Sequence, residues 1–194
     1  MNSVPASTAV IRPAIFGRSW WPVLAIAVAA VGCSSETDST TITTTAREES
    51  TMRLTSSAFG DGGSIPVRYT CDGADVSPPL EISGIPEGTV SLVLVMDDPD
   101  APAGTWDHWV AFDISPVDTI PEGTAGLGRP GRNSWGRTGY GGPCPPSGTH
   151  RYMFTVHALA GTIGLGEGAT KGEVLAALEP LRLASASLMG TYRR

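Results

Sequence analysis

Glycine and proline punctuate this chain too densely to leave room for long helices. There are 24 glycines and 16 prolines, about a fifth of the 194 residues, well above average usage and without a regular period. Short strands joined by long coils are the natural reading. "SLVLVMDD", Ser91 to Asp98, is apolar up to its acidic end, as a strand buried on both faces should be. "HWVAFDI" alternates, and places His108, Val110, Phe112 and Ile114 on one face. "HRYMFTVHAL" alternates too, with His150, Tyr152, Phe154 and Val156 on one face and Arg151, Met153, Thr155 and His157 on the other. "RLASASLMGTY" supplies a last strand from Arg182 to Tyr192. One helix is marked by Thr170 as N-cap and Glu173 three residues later, a capping box. Val174, Leu175, Leu178 and Leu181 form its apolar stripe, and Pro180 ends it. The expected fold is mainly β: an antiparallel Greek-key β-sandwich with one or two short helices.

The N-terminus has a different composition. Arg12 and Arg18 precede an apolar run from Trp20 to Gly32, which ends at Cys33. A positive region, a short apolar region and small residues before a break describe a secretory signal. The run is short for a membrane-spanning helix. "AVG" before Cys33 resembles a bacterial lipobox, with Ala30 where leucine is usual. Residues 1–32 are therefore expected to be a cleaved signal peptide and Cys33 a lipidation site. Residues 33–50, rich in Ser and Thr, are expected to be a tether unable to bury a core, and 51–194 the folded domain. The expected location is the cell envelope, on the outer face of the cytoplasmic membrane.

Removing residues 1–32 leaves 11 basic against 19 acidic side chains, a formal charge of −8. Bulk electrostatics then exclude a general nucleic-acid binder. Cys71 and Cys144 remain as an even pair in a compartment where disulfides persist, so one bridge is expected; two free thiols are the alternative.

Three segments place polar groups where strand gives way to coil: "DDPDAP" from Asp97, "WDHWV" from Trp106, and "GYGGPCPPSGTHRYMF" from Gly139. Proline stiffens a loop, and glycine permits conformations that aim N–H groups at a ligand. Two imidazoles, a phenol and fixed N–H donors suit a small anion. Asp98 would hold an imidazole in one tautomer. Asp100 reads as a turn residue. Arg151 points away from His150 and reads as an ion-pairing group, with Asp98 or Asp113 as its partner. Arg129, Arg132 and Arg137 stand nearest in sequence to the coil, as a solvated loop or as a means of steering an anion. His157, on the opposite parity from His150, reads as structural.

These three motifs, in this order, resemble the phosphatidylethanolamine-binding protein family, and most closely its short bacterial branch labelled Raf-kinase-inhibitor-like. "YTCDGADVSPPLEISGIPEGT" and "GATKGEVLAAL" with "LMGTY" extend the likeness from about Met52 to Tyr192. The resemblance implies a β-sandwich with an anion pocket. Carried over by position, its ligand-binding residues are Asp98, Trp106, His108, His150 and Tyr152, with the wall glycine and proline at Gly142 and Pro143, or at Pro145 and Pro146. The implied ligand is a phosphate-like anion or a phospholipid head group. The C-terminal helix of eukaryotic members is not expected here, which implies a more open site. Two other classes compete. A protein-interaction or inhibitor module is one, with no partner named by the residues. A hydrolase or a two-histidine, one-carboxylate metal enzyme is the other; G-x-S-x-G and HExxH are both absent. The expectation is a binding protein without catalysis and without cofactor.

Overall fold

The computed structural model describes residues 51–194; the signal segment, Cys33 and the tether lie outside the described residues. The described strands are β1 (Arg53–Thr55), β2 (Gly63–Ser64), β3 (Leu80–Ser83), β4 (Ser91–Asp98), β5 (Trp106–Ile114), β6 (Thr119–Ile120), β7 (Arg129–Pro130), β8 (Thr149–Leu159) and β9 (Arg182–Arg193). One α-helix, α1 (Lys171–Leu178), precedes β9 and is extended by a 3₁₀ turn over Glu179–Leu181, where Pro180 falls. A small sheet has the order β1-β3-β6, and a larger one the order β2-β9-β8-β4-β5-β7. The pairings are antiparallel except for the short β2–β9 contact, which is parallel.

Strand β4 is apolar from Leu92 to Met96 because it is covered twice. Leu92, Leu94 and Met96 join Leu54, Leu80, Ile82 and Ile120 of the small sheet in one cluster between the layers. Val93 and Val95 face the other way and pack with Val110, Phe112, Val174 and Leu178 beneath α1. Val174 and Leu178 are fully buried, each worth about 1.5–3 kcal/mol of apolar transfer. The capping box forms as expected: Thr170 Oγ1 accepts from the Glu173 N–H, and the Glu173 carboxylate accepts from the Thr170 N–H.

Strand β8 keeps the parity read from its sequence. Strand β5 does not, and the expectation that His108, Val110, Phe112 and Ile114 share a face is corrected. Ile114 belongs to the cluster between the sheets, whereas Val110 and Phe112 lie beneath the helix. The reason is a pair of irregularities against β4. Leu92 and Leu94 pair with Ile114 and Ala111, so one extra residue is accommodated there, next to Asp113 at φ 50°. Met96 pairs with Trp109 and Asp97 with Asp107, which leaves His108 as the extra residue. A β-bulge of this kind re-aims side chains and is common beside functional sites. His108 thereby turns to the face that carries Tyr152.

The cysteine expectation is met: Cys71 and Cys144 are joined in a disulfide, with Cα atoms 5.5 Å apart. The bridge ties the coil after Tyr140 to the segment after the 3₁₀ turn at Val67–Tyr69. Cys71 N–H also donates to the Pro143 carbonyl, and Tyr140 Oη donates to the Tyr69 carbonyl at 2.6 Å.

Candidate functional site

The ends of β4, β5 and β8 lie side by side in the larger sheet and deliver Asp98, Trp106 with His108, and His150 with Tyr152. Asp98 and His150 are buried and joined, His150 Nδ1 to Asp98 Oδ2, at 2.7 Å. The other Asp98 oxygen accepts from the Asp100 N–H at 2.8 Å. Both carboxylate oxygens are therefore engaged within the protein, and the first fixes the orientation of the imidazole. Asp98 thereby caps the turn, and the Asp100 carboxylate accepts from the Arg151 N–H and from its guanidinium at 2.6 and 2.9 Å. This corrects the partner expected for Arg151, which is neither Asp98 nor Asp113. Its hydrogen bonds hold the Asp100 carboxyl at about 2. Asp113 instead accepts from the N–H of Ile163 and stands 3.8 Å from Arg129.

His108 donates from Nδ1 to the Gly141 carbonyl at 2.7 Å, and its own carbonyl accepts from the Gly141 N–H. That leaves Nε2 as the free ring nitrogen. Burial pushes the His108 pKa below its ordinary value, against the opposing effects of the Gly141 carbonyl and the Asp98 charge. Tyr152 lies edge-on beneath His108, ring centroids 5.2 Å apart. Its hydroxyl is sealed from solvent and makes no well-formed hydrogen bond, with the Cys144 backbone and the Asp98 carboxylate beside it. Burial, then the Asp98 charge, raises the Tyr152 pKa and keeps the phenol protonated.

A cleft of about 200 Å³ opens over these groups, lined by Asp98, Ala101, Pro102, Trp106, His108, Trp135, Cys144 and Pro146. Of the expected set, Asp98, Trp106, His108 and Pro146 reach its wall. His150 and Tyr152 stand behind it, holding Asp98 and His108. Gly142, Pro143 and Pro145 are buried in the supporting coil. Here the expected role of glycine is also corrected. The Gly142 N–H donates to Asp75 Oδ1 at 2.6 Å and the Gly141 N–H to His108, so neither is aimed at a ligand. Glycine is needed for close approach instead: a Cβ on Gly142 would sit 2.5 Å from the Tyr69 carbonyl oxygen.

Trp135 was not singled out by the sequence, although it stands in the arginine-bearing stretch "GRPGRNSWGRTGY". A large aromatic set among glycines and polar residues was the available signal. Its ring meets His108 at 4.9 Å and Trp106 at 5.5 Å, both nearly perpendicular. Arg137, of the arginine cluster, stacks over it at 5.4 Å. Trp106 Nε1 is buried without a partner. On the opposite face of the sheet, Lys171 at the start of α1 binds Asp97 at 3.0 Å and also Asp107. Burial works against this ammonium, but its hydrogen bonds to the two carboxylates outweigh burial and hold its pKa above the ordinary value. Among the described residues no group of three or more His, Cys, Asp or Glu is arranged to hold a metal ion.

Two packed β layers with a small cleft at the ends of neighbouring strands describe a β-sandwich protein with a candidate site at its strand ends. The family model for phosphatidylethanolamine-binding protein matches residues 55–193, and the chain belongs to that family. A UPF0098 protein of Methanothermobacter thermautotrophicus is 49% identical over 150 residues, which cover 74% of this chain and 99% of the relative. Another, from Aquifex aeolicus, is 46% identical over 155 residues, 74% of this chain and 89% of its own. Among solved structures, a phosphatidylethanolamine-binding protein homologue from Chlamydia trachomatis superposes with a TM-score of 0.73 at 42% identity, covering 75% of this chain and 99% of that one. E. coli YbcL, described as a member of the mammalian family, gives 0.68 at 30% identity over 74% and 98%.

Proposed function

We propose that this domain is a binding module for a small phosphate-like anion, either free or as the head group of a phospholipid. We further propose that it is exported and held at the outer face of the cytoplasmic membrane by lipid on Cys33. One observation carries the binding reading: His108, on the wall of the cleft, gives its Nδ1 to the Gly141 carbonyl and keeps Nε2 for a ligand. Asp98 has both oxygens engaged within the protein, and its charge favours the protonated form of His108 that an anion needs. An anion needs a donor, and protonated His108 supplies one; a charge-assisted bond of this type is worth about 1.5–3 kcal/mol. Burial keeps the empty imidazole neutral, so binding takes up a proton and strengthens as pH falls through the histidine range.

Calorimetric titration with inorganic phosphate and phosphoethanolamine, from about pH 8 to about pH 5.5, tests this. The expected result is tighter binding with proton uptake at the acid end, and a loss of about tenfold or more in His108→Ala. Affinity that is independent of pH and unchanged in His108→Ala would sink the proposal. For the anchor, full-length chain should fractionate with membranes, and Cys33→Ala should release it.

A further inference from the structure

The cleft is larger than the anion it is proposed to hold. At about 200 Å³ it exceeds a bare phosphate, which displaces a few waters of roughly 30 Å³ each. The remaining wall is apolar: Ala101, Pro102, Trp135 and Pro146. Trp135 is held there deliberately by its own loop. Asn133 Oδ1 accepts from the N–H groups of Trp135 and Arg137, at 3.1 and 3.3 Å, and Asn133 Nδ2 donates to the Gly139 carbonyl at 3.2 Å. A bridge between Arg132 and Thr138 closes the loop. The facing coil makes room for the ring, because a Cβ on Gly141 would lie 2.6 Å from Trp135 Cζ3. A tryptophan 41% exposed on the cleft wall, with its ring set against His108, Trp106 and Arg137, is built to meet a ligand.

We propose that Trp135 is a specificity determinant that makes the cleft select phosphate monoesters bearing a short apolar substituent over free phosphate. The phosphate end takes His108 Nε2, and the substituent lies against Trp135, Pro102 and Pro146. This rests on the anion-binding reading and names the ligand class for the same site.

The test uses inorganic phosphate and the methyl, ethyl, propyl and butyl phosphates, titrated into wild type, Trp135→Ala and Trp135→Phe below the histidine range. The readout is the gain per methylene within one variant, which cancels any effect common to all ligands. Wild type should gain about fourfold for each buried methylene, the equivalent of about 0.8 kcal/mol. Trp135→Ala should flatten this gain and Trp135→Phe should restore most of it, with circular dichroism showing both variants folded. Equal affinity of wild type for phosphate and butyl phosphate overturns the selectivity while leaving the anion site intact. A gain that persists in Trp135→Ala likewise removes Trp135 from the role. Failure of every ligand to bind defeats the anion-binding reading, and this inference with it.

Discussion

Tyr152 ends in a sealed space where its hydroxyl forms no well-made hydrogen bond, and a buried polar group left so costs about 1–3 kcal/mol. Such a group is kept where something else uses it. Tyr152→Phe should therefore leave stability unchanged or raise it by up to about 1 kcal/mol in denaturant melts, while phosphate affinity falls. A drop in stability would show that the hydroxyl is satisfied in the folded protein and serves structure. Asp98→Asn makes the complementary case. It keeps the shape but removes the charge that His150 Nδ1 meets at 2.7 Å. Breaking a buried pair of this kind costs about 3–5 kcal/mol when one partner is removed outright; the amide substitution should cost less, and should also shift the acid limb of phosphate binding. Chemical denaturation and the pH titration read the two effects separately.

Among the elements, the coil from Gly139 to Pro146 is the one whose order is imposed from outside. It is fastened to the Tyr69–Asp75 segment by the disulfide and by the bonds of Tyr140 and Gly142. With the cysteines 73 positions apart in sequence, the chain-entropy treatment assigns the bridge about 4 kcal/mol. The double variant Cys71→Ser, Cys144→Ser should lose stability of that order in urea, and amide exchange should quicken first in the coil. Helix α1 depends on its start. Thr170→Ala removes the cap and should cost about 1 kcal/mol, measured as a lower melting midpoint. The longer elements were legible because their periodicity runs over many residues: β4, β8, β9 and α1 appear where alternation, apolar runs and the capping box place them. Strands of two to four residues, such as β2, β6 and β7, have too few positions to show any period, and the sequence does not reveal them. Strand β5 is the instructive failure. Strict alternation assigned His108 a face it does not share with Val110, because a bulge adds a residue that no local pattern signals. His108 still reaches the site, by the irregularity rather than by the alternation. Trp135 and Lys171 were missed for a similar reason, since their partners lie far away along the chain.

At the level of the whole molecule, pH is the variable that acts on several buried groups together. Burial lowers the pKa of His157, with the Arg182 charge acting in the same direction, and burial lowers that of His108. A histidine whose folded pKa lies below its unfolded value, near 6.5, favours the native state fully above that pH. Its contribution is lost as pH falls through the window below it, at no more than about 1.4 kcal/mol per unit for each group. Wild-type stability should therefore fall between about pH 7 and about pH 5, and His157→Asn should flatten part of the fall. An anion bound at His108 should offset the rest, so that phosphate protects most at the acid end of a melting series. Asp107 and His108 are consecutive residues that face opposite sides of one sheet, the first gripped by Lys171 of α1 and the second standing in the cleft. Occupancy on one side is thus a single peptide unit away from the far surface. A fluorophore on the outer turn of α1 should register filling of the cleft without ever sharing space with what fills it.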